Sequence, residues 1–218
     1  MTGQNRPLPP LHEMRRSGQR LVKRLAAETQ FENEAHFLKS WFNRPLMTGA
    51  VYPSGKALAR MMARFVDPAL PGPVIELGPG TGPVTDALIA RGVAEERLVL
   101  VEYSKDFCRL LRKRYPKARV VEGDAYNLKA TLSTLKEPAA AVVSSLPLMT
   151  RPEAQRLELL RTGFAMMPPG CPFVQFTYAT VSPMPLKSRD FEVEVSPRVW
   201  LNLPPARVWV YRDGDKPA

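Results

Sequence analysis

The chain has 218 residues, 44% of them hydrophobic and 24% charged, with 23 prolines gathered at junctions, which suits one α/β domain with an added element. Two cysteines and two histidines without ligand spacing give no reason to expect a metal, and no apolar run approaches the roughly 18 residues of a membrane span. The net charge of +10, with a pI near 9.9, calls for an anionic partner or surface.

The first 45 residues read as an amphipathic helical segment and residues 46–218 as the folded domain. On a helical wheel Leu11, Met14, Gly18, Leu21, Val22 and Leu25 fall within one arc of roughly 100°. Between them stand Arg15, Arg16, Arg20, Lys23 and Arg24 against a single acid, Glu13. An apolar stripe facing a basic face is the design of an interfacial helix on an anionic membrane, although a helix packed on the domain would carry the same stripe. Phe31, Ala35, Phe37, Leu38, Trp41 and Phe42 form a second amphipathic run. The N-terminus holds basic residues but no continuous apolar stretch, so no secretory signal is read and a cytoplasmic location is expected.

Val74-Ile75-Glu76-Leu77 predicts a strand that delivers a carboxylate onto the turn Gly78-Pro79-Gly80-Thr81-Gly82. Glycines there let a ligand lie against bare backbone. Pro83 suits the first position of a helix over 83–91, and Gly92 its C-terminal cap. The spacing is Gly-x-Gly-x-Gly, whereas the dinucleotide fingerprint is Gly-x-Gly-x-x-Gly. A diphosphate has little use for Glu76; a cofactor with an α-ammonium does. Strand 98–102 then ends in Glu102, twenty positions after Gly82, where nucleotide-binding α/β units place an acid for ribose hydroxyls; Tyr103 follows it. Helix 105–115 carries a basic, solvated face. Strand 119–122 ends at Gly123-Asp124-Ala125.

Glu76 to Gly82 resembles the first signature of class I S-adenosylmethionine-dependent methyltransferases. That resemblance implies S-adenosylmethionine as cofactor, converted to S-adenosylhomocysteine, with Glu76, Gly78, Pro79, Gly80, Thr81, Gly82, Glu102 and Tyr103 around it. Asp124 and Ala125 would meet the adenine. The remaining elements read as helix 126–135, strand 140–145, helix 152–167, strand 172–179 and two strands, 190–195 and 206–211, with no helix between them. The alternation predicts a mostly parallel seven-stranded sheet, Rossmann-like, with helices on both faces and an antiparallel ending.

The end of the fourth strand, Ser144-Ser145-Leu146-Pro147-Leu148, is where the acceptor is approached. Enzymes acting on exocyclic base amines carry there an Asn or Asp with prolines and a ring that stacks on the flipped base. This chain has neither, which counts against an RNA adenine N6-methyltransferase, the alternative enzyme, although the upstream Met47-to-Ser54 layout is similar to the ribosomal RNA adenine dimethyltransferases. Gly49-Ala50-Val51-Tyr52-Pro53-Ser54, Glu76 to Gly82, Ser145-Leu146-Pro147-Leu148 and Gln175-Phe176-Thr177-Tyr178 together look like the peripheral bacterial phospholipid N-methyltransferases. The implied reaction converts phosphatidylethanolamine through mono- and dimethyl forms toward phosphatidylcholine at the inner face of the cell membrane. No metal or nucleic-acid partner is expected, and a binding module without turnover is a third reading.

For that reaction the candidate catalytic residues are Tyr52, Ser144, Ser145 and Tyr178. Tyr52, Leu146, Pro147, Tyr178 and Arg189 would bind the lipid, Arg189 at its phosphate by a bidentate fork. Ser144 and Ser54 would also touch the cofactor, Ser54 alternatively capping a helix that starts near Gly55. Arg15, Arg16, Arg20, Lys23 and Arg24 would hold the membrane.

Overall fold

The structure, a computed structural model, describes residues 53–186 and 190–214, with the backbone alone for Pro53 and Ser54. Tyr52, Arg189 and the basic residues 15–24 lie outside the described residues, as does the proposed boundary at residue 45.

Seven strands form one sheet: β1 (Val74–Leu77), β2 (Leu98–Glu102), β3 (Arg119–Glu122), β4 (Ala141–Ser144), β5 (Phe173–Thr177), β6 (Phe191–Val195) and β7 (Arg207–Asp213). Their order is β3-β2-β1-β4-β5-β7-β6. All neighbours from β3 to β5 pair parallel, and β7 runs antiparallel to both β5 and β6. The antiparallel ending read from sequence is therefore present.

Strict alternation sorts the strand residues onto two cores. Val74, Leu98, Leu100, Val143 and Val208 face one side, with α1 (Pro53–Ala63) and α2 (Pro83–Arg91); Leu111, from α3 (Lys105–Arg114), joins that core. Ile75, Leu77, Val99, Val142, Phe173 and Trp209 face the other, packed by α5 (Glu153–Ala165) and by Leu128 of α4 (Leu128–Thr131). Burial on both faces is why β1, β2 and β4 are apolar runs and not half-polar strands. Arg97 pins the approach to β1 by donating to the carbonyls of Gly72 at 2.8 Å, Pro68 at 2.7 Å and Leu70.

Two expectations need correction. The single helix expected over 126–135 is a 3₁₀ turn, Ala125–Asn127, followed by the four-residue α4. Local side-chain bonds replace it: Asp124 Oδ1 accepts the Tyr126 N–H at 2.9 Å, and Thr131 Oγ1 donates to the Asp124 carbonyl at 2.9 Å. Helix α1 begins at Pro53, so Ser54 lies inside its first turn and does not precede it as a cap.

Candidate active site

The strand order reverses between β1 and β4, so the crevice beyond their carboxyl ends is where this topology leaves room for a ligand. Glu76, the third residue of β1, faces α2 and is fully buried. Its Oε2 accepts from Thr85 Oγ1 at 2.7 Å; its Oε1 has no partner among the described residues. Burial pushes its pKa up to about 8, the nearby Asp86 and Glu102 charges adding to the rise and the Thr85 bond opposing it. A buried carboxylate with one vacant oxygen is an unfinished cation site.

The turn after β1 is held from beneath. Gly78 N–H donates to the Val101 carbonyl at 2.9 Å, and Gly80, at φ 57°, donates to Glu102 Oε2 at 3.1 Å. Gly82, at φ 89°, stands immediately before α2. A Cβ there would come within 2.5 Å of the Tyr115 hydroxyl, which bonds the Gly82 carbonyl at 2.8 Å and Asp86 Oδ1 at 2.7 Å. Arg114 adds a bond to the Thr81 carbonyl at 2.7 Å and an ion pair with Asp86.

Glu102 is 5% exposed and its second oxygen accepts the Ser104 N–H at 2.8 Å. Each oxygen keeps a lone pair, enough for two vicinal hydroxyls. Tyr103 is exposed beside it, and Asp124 is exposed at the end of β3 with Ala125 buried behind it.

At β4 the register sets Leu77, Ser144 and Gln175 side by side. Ser144 is buried, and its Oγ accepts the Leu146 N–H at 3.4 Å, so this hydroxyl shapes the loop from within. Ser145 donates its N–H to the Leu77 carbonyl at 2.9 Å. Leu146 packs over the glycine turn, its Cδ2 3.1 Å from where a Gly78 Cβ would stand. A cavity of about 20 Å³ brings Leu146 and Pro147 together with Met149, Phe176 and Tyr178. Phe176 and Tyr178 meet edge to face at 5.5 Å.

Four supports were not singled out from sequence as site residues. Thr85, Tyr115 and Ser104 give no signal without the fold. Gln175 does: it is a long polar side chain in the middle of the strand Phe173–Thr177, between Val174 and Phe176, where burial demands a partner. Its Nε2 donates to the carbonyls of Leu146 at 3.0 Å and Phe176 at 2.8 Å, while its Oε1 is buried without a partner among the described residues. Arg156 ties the same region down, donating to the Pro183 carbonyl and reaching Met149 Sδ at 3.6 Å.

These residues fit an amino-acid-bearing nucleotide: an orphaned buried carboxylate oxygen, a bare glycine turn and a second carboxylate with lone pairs to spare. The family described as methyltransferase domain matches residues 74–171. An ornithine lipid N-methyltransferase from Singulisphaera acidiphila is 33% identical over 145 residues, covering 65% of this chain and 76% of that protein. A ribosomal RNA small subunit methyltransferase A from a Synechococcus strain is 48% identical over 95 residues, but the match spans only 30% of that relative and 42% of this chain. Among solved structures, an rRNA methylase from Streptococcus thermophilus superposes with a TM-score of 0.52 at 14% identity, over 77% of this chain and all of that one, a likeness of fold. The chain belongs to the class I S-adenosylmethionine-dependent methyltransferases, with S-adenosylmethionine as its cofactor.

Proposed function

We propose that the chain methylates the amine of a membrane lipid, phosphatidylethanolamine and its mono- and dimethyl derivatives toward phosphatidylcholine, at the inner face of the cell membrane. The observation that carries this reading is the acceptor loop: Leu146, Pro147 and Leu148 are apolar, and Leu146 lies directly on the cofactor turn. Similarity to an ornithine lipid N-methyltransferase supports the lipid class, since that name too implies an amine on a lipid.

When bound, S-adenosylmethionine supplies an electrophilic methyl group on a sulfonium. Glu76 Oε1 would hold its ammonium, and Glu102 its sugar. The acceptor amine must reach the loop unprotonated, and the apolar lining of Leu146, Pro147 and Phe176 favours the neutral form. The hydroxyls of Ser145 and Tyr178 orient its N–H groups, and the rings of Phe176 and Tyr178 hold the increasingly methylated cation by cation–π attraction. Holding both partners in a near-attack geometry supplies much of the acceleration. Tyr52 joins Tyr178 in orienting the amine, Arg189 binds the lipid phosphate, and Arg15, Arg16, Arg20, Lys23 and Arg24 attach the chain to anionic membrane.

A second reading, RNA base methylation, draws on the match to the ribosomal RNA methyltransferase and on the +10 charge. The missing amide and stacking ring at β4 weigh against it. Labelled cofactor offered with phosphatidylethanolamine vesicles, ornithine lipid vesicles and ribosomal RNA separates the readings. Label in mono-, di- and trimethylated phosphatidylethanolamine is the expected result; label only in RNA rejects the proposal.

A further inference from the structure

The connection between β6 and β7 presents three large apolar side chains within four residues: Trp200 is 73% exposed, Leu201 78% and Leu203 68%. This is a built turn. Val199 pairs with Ala206, and Asn202, 4% exposed, points inward and donates from Nδ2 to the Pro204 carbonyl at 2.7 Å. Its neighbours on both sides are thereby left in solvent. Trp200 and Leu201 form one wall of a groove of about 650 Å³ whose other walls are α1 and α2. Arg60, Arg64, Arg91 and Arg198 line it, and among the described residues no carboxylate does. The Arg198 guanidinium also lies 5.7 Å from the Trp200 ring centroid.

Exposed apolar clusters of this kind mark interaction sites, and the arginines select the partner. A second copy would set four arginines against four, and the basic segment 11–25 would bring more positive charge to the same place. An anionic lipid surface answers both features. Tryptophan belongs at the headgroup level of a bilayer, and each basic residue near anionic lipid contributes about 1 kcal/mol. β6 runs parallel to β5 because both oppose β7, so the connection leaves the sheet from the edge that carries the glycine turn, and Trp200 and Leu201 then fold back against the end of α1 and the C-terminal half of α2.

We propose that residues 196–206 form a second membrane-contact element, in which Trp200, Leu201 and Leu203 enter the headgroup region and the four arginines meet lipid phosphates. The proposal rests on the lipid reading of the acceptor only for its purpose, which is to hold the enzyme on the bilayer that carries its substrate.

The test compares the full chain with its W200S/L201S/L203S variant on phosphatidylcholine vesicles containing phosphatidylglycerol. The variant should bind the vesicles at least about tenfold more weakly, with unchanged melting temperature and unchanged affinity for S-adenosylhomocysteine. It should lose turnover on vesicles of the same kind that also carry phosphatidylethanolamine but keep turnover on a short-chain phosphatidylethanolamine dispersed as monomers. Vesicles should blue-shift the fluorescence of a W41F variant, whose other tryptophan, Trp209, is 8% exposed, and adding W200F should abolish that shift. Equal vesicle binding by parent and variant overturns the proposal. So does a Trp200 already shielded from acrylamide without vesicles, which identifies the N-terminal segment or a second copy as occupant. Insertion of Trp200 in a protein that methylates no lipid would sink the acceptor reading and leave this surface standing.

Discussion

Glu102 lies beneath Gly80: its Oε2 accepts the Gly80 N–H at 3.1 Å across 22 residues of chain. One carboxylate thus shapes the glycine turn from below and offers its outer lone pairs to the crevice above. Two roles in one side chain make the site sensitive to its loss. Replacing Glu102 with Ala should weaken S-adenosylhomocysteine binding about a hundredfold, in line with about 2–3 kcal/mol for charge-assisted bonds. Glu102→Gln, which keeps an acceptor, should fall between. Calorimetric titration measures both, and an unaltered dissociation constant for the Ala variant would overturn the assignment.

Tyr115 braces the same turn from its other end. Its hydroxyl has one proton for two acceptors, the Gly82 carbonyl and Asp86 Oδ1, and burial together with Asp86 holds its pKa far above the physiological range. Tyr115→Phe keeps the packing and removes the bond. The expected cost is about 1–3 kcal/mol, a fall of several degrees in melting temperature. The KM for the cofactor should rise with little change in kcat, because the residue touches the turn and not the acceptor loop. Steady-state kinetics showing a kcat loss alone would refute this division.

Much of this was legible in the residues. Strands 74–77 and 98–102 and helix 83–91 lie where their apolar runs and glycine punctuation place them, because a central parallel strand has few other ways to bury such a run; the half-buried edge strand 119–122 shows through its pair Val120-Val121. The three strand-end acids, Glu76, Glu102 and Asp124, share one edge for the same reason. Helix 126–135 misled, since Asp124 and Thr131 compete locally for backbone groups in a way no apolar count registers. Tyr115 was out of reach because its partner Gly82 is 33 residues away. Leu201 and Leu203 carried no signal either: their exposure depends on Asn202 turning inward.

Gln175 joins the strand next to β4 to the acceptor loop. Both Nε2 protons are used on carbonyls, one of them that of Leu146, so the amide fixes the loop's distance from β5. Gln175→Leu should free it while preserving volume. A displacement of about 1 Å can cost about 10²-fold in rate, so kcat on lipid should fall by one to two decades. Cofactor affinity should hold, since Gln175 touches none of the turn. Gln175→Asn, one methylene shorter, should rescue less than half of the loss if the reach of the amide matters. Parallel losses of cofactor binding and kcat would point instead to a collapsed fold.

Glu76 gives the enzyme a pH signature. In the unfolded chain its carboxyl ionises near 4.5, whereas burial delays ionisation in the folded chain to about 8. The native state therefore binds one more proton between these values, and the free energy of unfolding falls as pH rises through that window, by at most about 1.4 kcal/mol per pH unit, then levels off above it. A cofactor ammonium at the vacant Oε1 reverses the effect of burial and restores the ionised form. Binding near pH 7, where an α-ammonium with a pKa of about 8 is still charged, must release up to one proton, and affinity must rise toward pH 8. Titrating S-adenosylhomocysteine by calorimetry in buffers of different ionisation enthalpy counts that proton directly. Glu76→Gln should bind at least about tenfold more weakly, release none, and lose the decline in stability between pH 4.5 and 8. A parent protein that releases no proton would show that the orphaned oxygen is not where the ammonium goes.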